Sequence, residues 1–196
     1  EKDYIWDLPI ETADQQYAEK KTGNKPCVVI NPCSRARKTT WRNWSIDRYA
    51  EISDYLHGLG LQVFLTGGPS STEIEFCHSI VDQCQSSPQN LAGKTTLGQL
   101  LALINRSEFV IAPDTGPAHM ATIVDTPVIG LFASSNPART GPYKSQGLLV
   151  NYYEQALLQY NHRTLEQARW GERVRHPEVM ELISLDSVKQ VIDRLL

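Results

Sequence analysis

Short apolar runs alternate along this chain with longer segments in which apolar residues recur at three- and four-residue steps. Val28-Val29-Ile30 reads as a short buried strand, followed by a polar loop over 32–44. Ser45 stands where a cap belongs, before a helix with the apolar face Ile46, Tyr49, Ile52 and Leu56, ended by Gly58 and Gly60. Leu61 to Leu65 is the next strand, and Gly67-Gly68-Pro69 turns the chain. Ser70-Ser71-Thr72-Glu73 matches a capping box and starts a helix through Ile74, Cys77, Ile80, Val81 and Cys84. Asn90-Leu91-Ala92 predicts a short strand, Leu97 to Ile104 a helix, Phe109 to Ala112 a strand and Pro127 to Phe132 another. Residues 133–147 form a loop rich in Ser, Pro and Gly, with a last short strand at 148–150. Beyond it the chain reads as helical, with Ser184 capping a final helix of Val188, Val191, Ile192 and Leu195. Residues 1–25 are polar apart from Tyr4, Ile5, Trp6, Leu8 and Ile10, and predict an extended linker with a short helix at 12–21.

Strands of four to six apolar residues alternating with helices imply an α/β fold, a parallel sheet covered by helices on both faces. Ligands of such sheets bind beyond the carboxyl ends of the strands, near the topological switch point. The loops 32–44, 67–73, 93–96, 113–119 and 133–143 all leave strands at that end, which predicts one shared site. Neither Gly-x-Gly-x-x-Gly nor a P-loop signature is present.

The richest of these loops is Asp114-Thr115-Gly116-Pro117-Ala118-His119, directly after Phe109-Val110-Ile111-Ala112-Pro113. A strand ends there and a helix begins, with Pro117 suited to the first turn. Unpaired backbone N–H groups and the positive end of the helix dipole attract phosphate at such a place. Gly116 permits close approach of a ligand, and His119 is expected at the same mouth. Taken alone, the six residues fit an ordinary capped helix equally well, with His119 a surface or core histidine.

Composition narrows the classes. At 196 residues and 41% apolar content, the chain suits one domain with a sizeable core. A net charge of −3 argues against a general nucleic-acid binder. No apolar run approaches 18 residues, so no membrane span is expected, and no apolar h-region follows Glu1-Lys2-Asp3-Tyr4, so no signal peptide is expected either. Cys27, Cys33, Cys77 and Cys84 show neither C-x-x-C pairing nor metal-ligand spacing, which fits a reducing, cytoplasmic setting. From Lys20 to Arg42 there are seven basic residues and no acidic one. Such a run is a solvated face, or a phosphate or acidic-membrane contact.

The loops together resemble a known family. They are Asn31-Pro32-Cys33-Ser34; Arg42-Asn43-Trp44-Ser45 with Tyr49-Ala50-Glu51; Leu65-Thr66-Gly67-Gly68-Pro69 with Glu73; Asn90-Leu91-Ala92-Gly93; the Asp114–His119 element; and Asn136-Pro137 with Gly141-Pro142-Tyr143. Their order and spacing over residues 26–145 are similar to the family 9 glycosyltransferases, the ADP-heptose:lipopolysaccharide heptosyltransferases. That resemblance implies the GT-B arrangement of two Rossmann-like halves, the carboxyl-terminal one binding the nucleotide sugar and the amino-terminal one carrying the acceptor site and the proposed base, an aspartate. This chain is expected to be the carboxyl-terminal half: linker 1–25, nucleotide-sugar-binding domain 26–150, helical extension 151–196. Alone it is expected to bind nucleotide and transfer no sugar.

The resemblance also assigns residues. Asp114, Thr115, Gly116 and His119 match diphosphate and sugar contacts. Glu73 matches the acid that accepts from ribose hydroxyls, or else only caps its helix. Arg42 falls where many members have lysine, and Ser45 where they have proline. Arg42 would meet the departing diphosphate, with Lys38 a rival. Ser34 matches a hydroxyl near the phosphates, and Lys94, Thr95 and Thr96 the loop lining the base pocket. Trp44 reads as core. No metal or other cofactor is implied, since the ADP-sugar is the substrate. The acceptor would be lipopolysaccharide core, and the setting the cytoplasm, with a peripheral contact at the inner membrane. Rival readings are a GT-B transferase or epimerase using a UDP-sugar, and a non-catalytic nucleotide-binding module.

Overall fold

The computed structural model describes residues 6, 8–23, 25–34 and 40–196. In chain order the elements are α1 (Thr12–Thr22), β1 (Cys27–Ile30), α2 (Ile46–Gly58), β2 (Gln62–Leu65), α3 (Ser71–Gln83), β3 (Gln89–Asn90), α4 (Leu97–Arg106), β4 (Phe109–Pro113), α5 (Gly116–Ile123), β5 (Val128–Phe132), α6 (Pro137–Thr140), β6 (Val150–Asn151), α7 (Tyr153–Ala156) and α8 (Leu185–Leu195). Among the described residues the sheet has six strands in the order β3-β2-β1-β4-β5-β6, every pair parallel. The chain winds outward from β1 through β2 to β3, then crosses back to set β4 on the other side of β1. The switch point therefore lies between β1 and β4.

Side-chain alternation along the central strands feeds two cores. Val28, Ile30, Phe109, Ile111, Ile129 and Leu131 belong to one, with α2, α3 and α8 above them. Cys27, Val29, Val110, Ala112 and Val128 belong to the other, under α4 and α5. Both faces are thus buried, which is why these strands read as continuous apolar runs rather than as alternating ones. Gly130 marks a tight place in β5: a Cβ there would lie 2.7 Å from both Leu149 and Phe132 side-chain carbons. Gly130→Ala is expected to cost about 1–3 kcal/mol through overpacking, read as a lower denaturant midpoint with an unchanged slope.

The predicted amino-terminal helix is α1. Its apolar periodicity is weak, so its ends matter more. Gly23 closes it in the left-handed conformation, φ 55°, donating to Glu19 O, with Lys20 and Lys21 in the last turn. It lies on α4, where Arg106 reaches back to Glu19 at 3.4 Å and to Thr22 Oγ1 at 3.3 Å.

Three local expectations are corrected. Ser45 occupies the cap position of α2 with an extended backbone, but its hydroxyl accepts no cap hydrogen bond. β3 ends at Asn90 rather than continuing to Ala92: Asn90 Oδ1 accepts from Ala92 N in a local turn, although Leu91 N and Gly93 N still reach Leu65 O and Gly67 O alongside. The last part of the chain is only partly helical. α7 widens into a π turn over Leu157–Asn161, ended by His162 at φ 54°. Residues 162–178 are irregular, with Gly171 and Pro177 among them, before a 3₁₀ turn at Val179–Leu182 and α8. This stretch is no surface appendage: Val174, Val179, Ile183, Val188 and Ile192 are fully buried in the larger core.

Candidate functional site

Beyond the carboxyl ends of β1 to β4 lies a cavity of about 610 Å³. Each strand contributes its following loop: Asn31, Cys33 and Ser34 after β1, Gly67 to Pro69 after β2, Gly93, Thr95 and Thr96 after β3, and Asp114 to Gly116 after β4. Arg42 and Glu73 complete the polar wall, while Leu97, Leu100, Pro117 and Met120 line an apolar one. The switch-point expectation therefore holds for four of the five loops. The fifth, 133–143, contributes no lining residue; Ser134 and Ser135 are instead paired with the backbone of Val174 and Arg173.

Asp114 organises the polar end. Arg42 Nη1 donates to the Asp114 backbone oxygen at 2.6 Å and sits 3.3 Å from its carboxylate. Arg173 Nη2 lies 3.8 Å from the same carboxylate oxygen. That atom, Asp114 Oδ2, is buried yet makes no hydrogen bond, as do two further atoms of lining residues, Asn31 Oδ1 and Thr115 Oγ1. Native interiors rarely leave such groups unpaired, so Asn31 Oδ1 and Thr115 Oγ1, which lack even the ion pairs that Asp114 has, mark places for a ligand's hydroxyl or amide donors. α5 starts beside them. Thr115 is its cap residue but its hydroxyl makes no cap bond, leaving the first-turn N–H groups to a ligand.

Gly116 needs no unusual backbone angle, and a Cβ added there would meet no protein atom within 4 Å. Gly116→Ala should therefore leave thermal stability unchanged. The methyl would stand in the cavity and cost a ligand seated there about 1–3 kcal/mol, roughly 5- to 150-fold by calorimetric titration.

Glu73 is 7% exposed and held on both oxygens. Gly68 N donates to Oε2 at 2.6 Å and Ser70 Oγ to Oε1 at 3.0 Å, while Ser70 Oγ accepts from Glu73 N at 3.3 Å. The capping box is thus half formed, its carboxylate turned to the glycine loop and the cavity. Ser34 is also engaged, its N–H and hydroxyl both meeting Asn43 Oδ1.

Of the residues singled out from sequence, Ser34, Arg42, Glu73, Thr95, Asp114, Thr115 and Gly116 come together at this cavity. Lys94 and His119 do not line it. Lys94 is exposed and its ammonium donates to Asn90 O at 3.0 Å. The cavity side of α5 is made by Gly116, Pro117 and Met120, and His119 is carried round to solvent. Lys38 lies outside the described residues. Trp44 is core, 1% exposed, its indole donating to Ile183 O at 2.9 Å.

Sequence reading missed Arg173, which comes from a stretch without periodicity. Thr96, placed by the resemblance in the base-pocket loop, does line the cavity; what went unread was its Thr-x-x-Gln pattern, since Thr96 and Gln99 form a complete capping box that fixes the lip. Leu97 beside it, 77% exposed, offers an apolar ledge. The Cys33 thiol is held well above its ordinary range, first by its hydrogen bond with Cys77 and then by burial. Burial pushes Cys27 and Cys84 up to about 11. These three are poor nucleophiles at neutral pH.

Comparison with known proteins follows the same residues. The family model for glycosyltransferase family 9 (heptosyltransferase) matches residues 1–167. The lipopolysaccharide core heptosyltransferase OpsX of Haemophilus influenzae is 34% identical over 184 residues, covering 93% of this chain and 52% of that protein. The chain thus spans about half the length of that relative. Among solved structures, the ADP-heptose lps heptosyltransferase II of E. coli superposes with a TM-score of 0.71 at 21% identity, over 96% of this chain and 52% of the other. A dodecameric, iron-containing heptosyltransferase, TibC, in complex with ADP-D-β-D-heptose, gives 0.56 at 17% identity over 88% and 46%. These structural likenesses share the fold.

Proposed function

We propose, for a chain that belongs to glycosyltransferase family 9, that it is the ADP-heptose-binding half of a heptosyltransferase acting in lipopolysaccharide core assembly. The observation that carries this reading is the conjunction at the switch point: an uncapped α5 N-terminus, the Arg42 guanidinium, and two buried oxygens without hydrogen-bond partners, Asn31 Oδ1 and Thr115 Oγ1, around one cavity. The diphosphate would lie against the N–H groups of Thr115 and Gly116 and against Arg42. Glu73, already fixed by Gly68 and Ser70, would accept from the ribose hydroxyls. The base would rest between the Gly93–Thr96 loop and Leu97.

As the glycosidic bond to the diphosphate breaks, negative charge gathers on the leaving ADP. Donors already fixed toward that position need no rearrangement when the charge appears, which lowers the barrier electrostatically. In this reading Arg42 and the α5 terminus supply that stabilisation without a metal. Among the described residues, no three His, Cys, Asp or Glu side chains gather into a metal-ligating group. The acceptor would be held by the other half of a GT-B pair, with the base there and the two halves meeting in the cytoplasm at the inner face of the inner membrane. No helix among the described residues is long and apolar enough to cross a membrane. Positioning donor and acceptor together can supply about 7–11 kcal/mol of a barrier, so this chain alone should bind donor and not turn it over.

Titration with ADP and UDP, followed by a transfer assay with ADP-heptose and a truncated core acceptor, tests the reading. ADP should bind more tightly than UDP, with no turnover. Equal or reversed affinity would sink the heptose assignment, and turnover matching a full-length enzyme would place the catalytic groups within these 196 residues.

A further inference from the structure

We propose that a second cleft, formed by the irregular stretch Asn161–Arg175, binds a saccharide carrying a phosphate or carboxylate group. The proposal rests on the donor-site reading, since a glycosyl transferase must hold a second saccharide next to its donor, and it adds a contact on this half of the molecule.

The cleft has a volume of about 770 Å³ and is walled by Arg163, Arg169, Arg173 and Arg175 around one carboxylate, Glu172. That carboxylate is already occupied. Asn161 donates to it at 2.9 Å, Arg163 at 3.2 Å, and the Arg169 backbone N–H at 3.2 Å. The side chains of Arg169 and Arg175 are exposed and have no carboxylate partner among the described residues. A fifth guanidinium approaches from α6: Arg139 Cζ lies 3.8 Å from where a Gly171 side chain would begin. With Arg163 paired to Glu172 and Arg173 to Asp114, the forks of Arg169 and Arg175 remain to match an oxyanion, which accepts paired N–H bonds from arginine.

Two further observations point to a saccharide beside the donor rather than to a free anion elsewhere. Trp170, flanked in the chain by the cleft-lining Arg169 and Gly171, is 65% exposed, so the same segment carries a large apolar ring open to solvent. Arg173 belongs to both places, lining the cleft while standing 3.8 Å from Asp114, which Arg42 approaches from the donor cavity. The two sites therefore meet across a single carboxylate.

Calorimetric titration of the chain saturated with ADP, so that the donor cavity is filled, tests the proposal with glucose 6-phosphate, glucuronate, glucose and inorganic phosphate as probes. Glucose 6-phosphate or glucuronate should bind, the former about fivefold or more tighter than inorganic phosphate, with glucose undetected. The R169A/R175A variant should lose about tenfold or more of that affinity and keep its ADP affinity. Trp170→Ala should bring the sugar phosphate down to the level of inorganic phosphate. Binding by neither charged sugar overturns the proposal, as does binding indifferent to both arginines or no tighter than inorganic phosphate. The ADP titration reads the donor site separately: ADP bound with no sugar bound fails this proposal alone, whereas arginine-dependent sugar binding without ADP binding fails the donor-site reading.

Discussion

Replacing Arg42 with alanine is expected to weaken ADP binding by about 1.5–3 kcal/mol, the range for a hydrogen bond to a charged group, or roughly 10- to 150-fold, and to affect AMP far less. The reason lies in where Arg42 sits. Its guanidinium reaches the Asp114 backbone oxygen at 2.6 Å through one nitrogen and keeps other donors toward the cavity, beside the α5 terminus. AMP lacks the second phosphate that this fork would grip. Arg42→Lys should recover only part of the loss, because an ammonium keeps the charge without the paired donors. The side chain is 26% exposed and Asp114 retains Arg173 nearby, so the protein should stay folded in both variants. Calorimetry with the two nucleotides decides the matter. Equal losses for AMP and ADP would remove Arg42 from the diphosphate and turn attention to Lys38.

Ile192→Ala is expected to destabilise the whole chain by about 2–5 kcal/mol, lowering the melting temperature by roughly 4–20 °C at this size. Ile192 is fully buried on α8, which packs on α2, β5 and β6, and it shares one core with Val28 and Ile30 of the central strand. A helix attached only as an extension would unfold separately, and its loss would leave the main transition where it was. One cooperative transition, shifted as a whole in both fluorescence and far-ultraviolet circular dichroism, is the outcome that these contacts require. A shift of only a small fraction of that size would mean that α8 is not part of the core.

The sheet and most of the cavity were legible in the sequence for a physical reason. Strands buried on both faces announce themselves as apolar runs, and parallel topology sends every following loop to one end. Asp114, Thr115 and Gly116 could thus be placed with Asn31, Ser34 and Glu73 before any coordinates. What failed depended on one side chain's direction or on long-range packing. His119 turns to solvent because the cavity meets α5 along Gly116, Pro117 and Met120. Ser45 has the right residue type and backbone for a cap, yet its hydroxyl makes no cap bond. Arg173 reaches Asp114 from a segment with neither helical nor strand period, held there by Val174 bonding to Ser134, a contact that no local pattern encodes.

The two outermost strands, Gln89–Asn90 and Val150–Asn151, are only two residues long, and each ends on asparagine. A sheet border is an open ladder of hydrogen-bonding groups onto which another chain can add. Borders this brief expose too few such groups in register to seed a foreign strand, so the apolar sheet interior comes with protection against stacking edge to edge with its own copies. Lengthening either border, for instance by replacing Asn90 and so freeing the turn that it closes with Ala92, would trade that protection for a longer template.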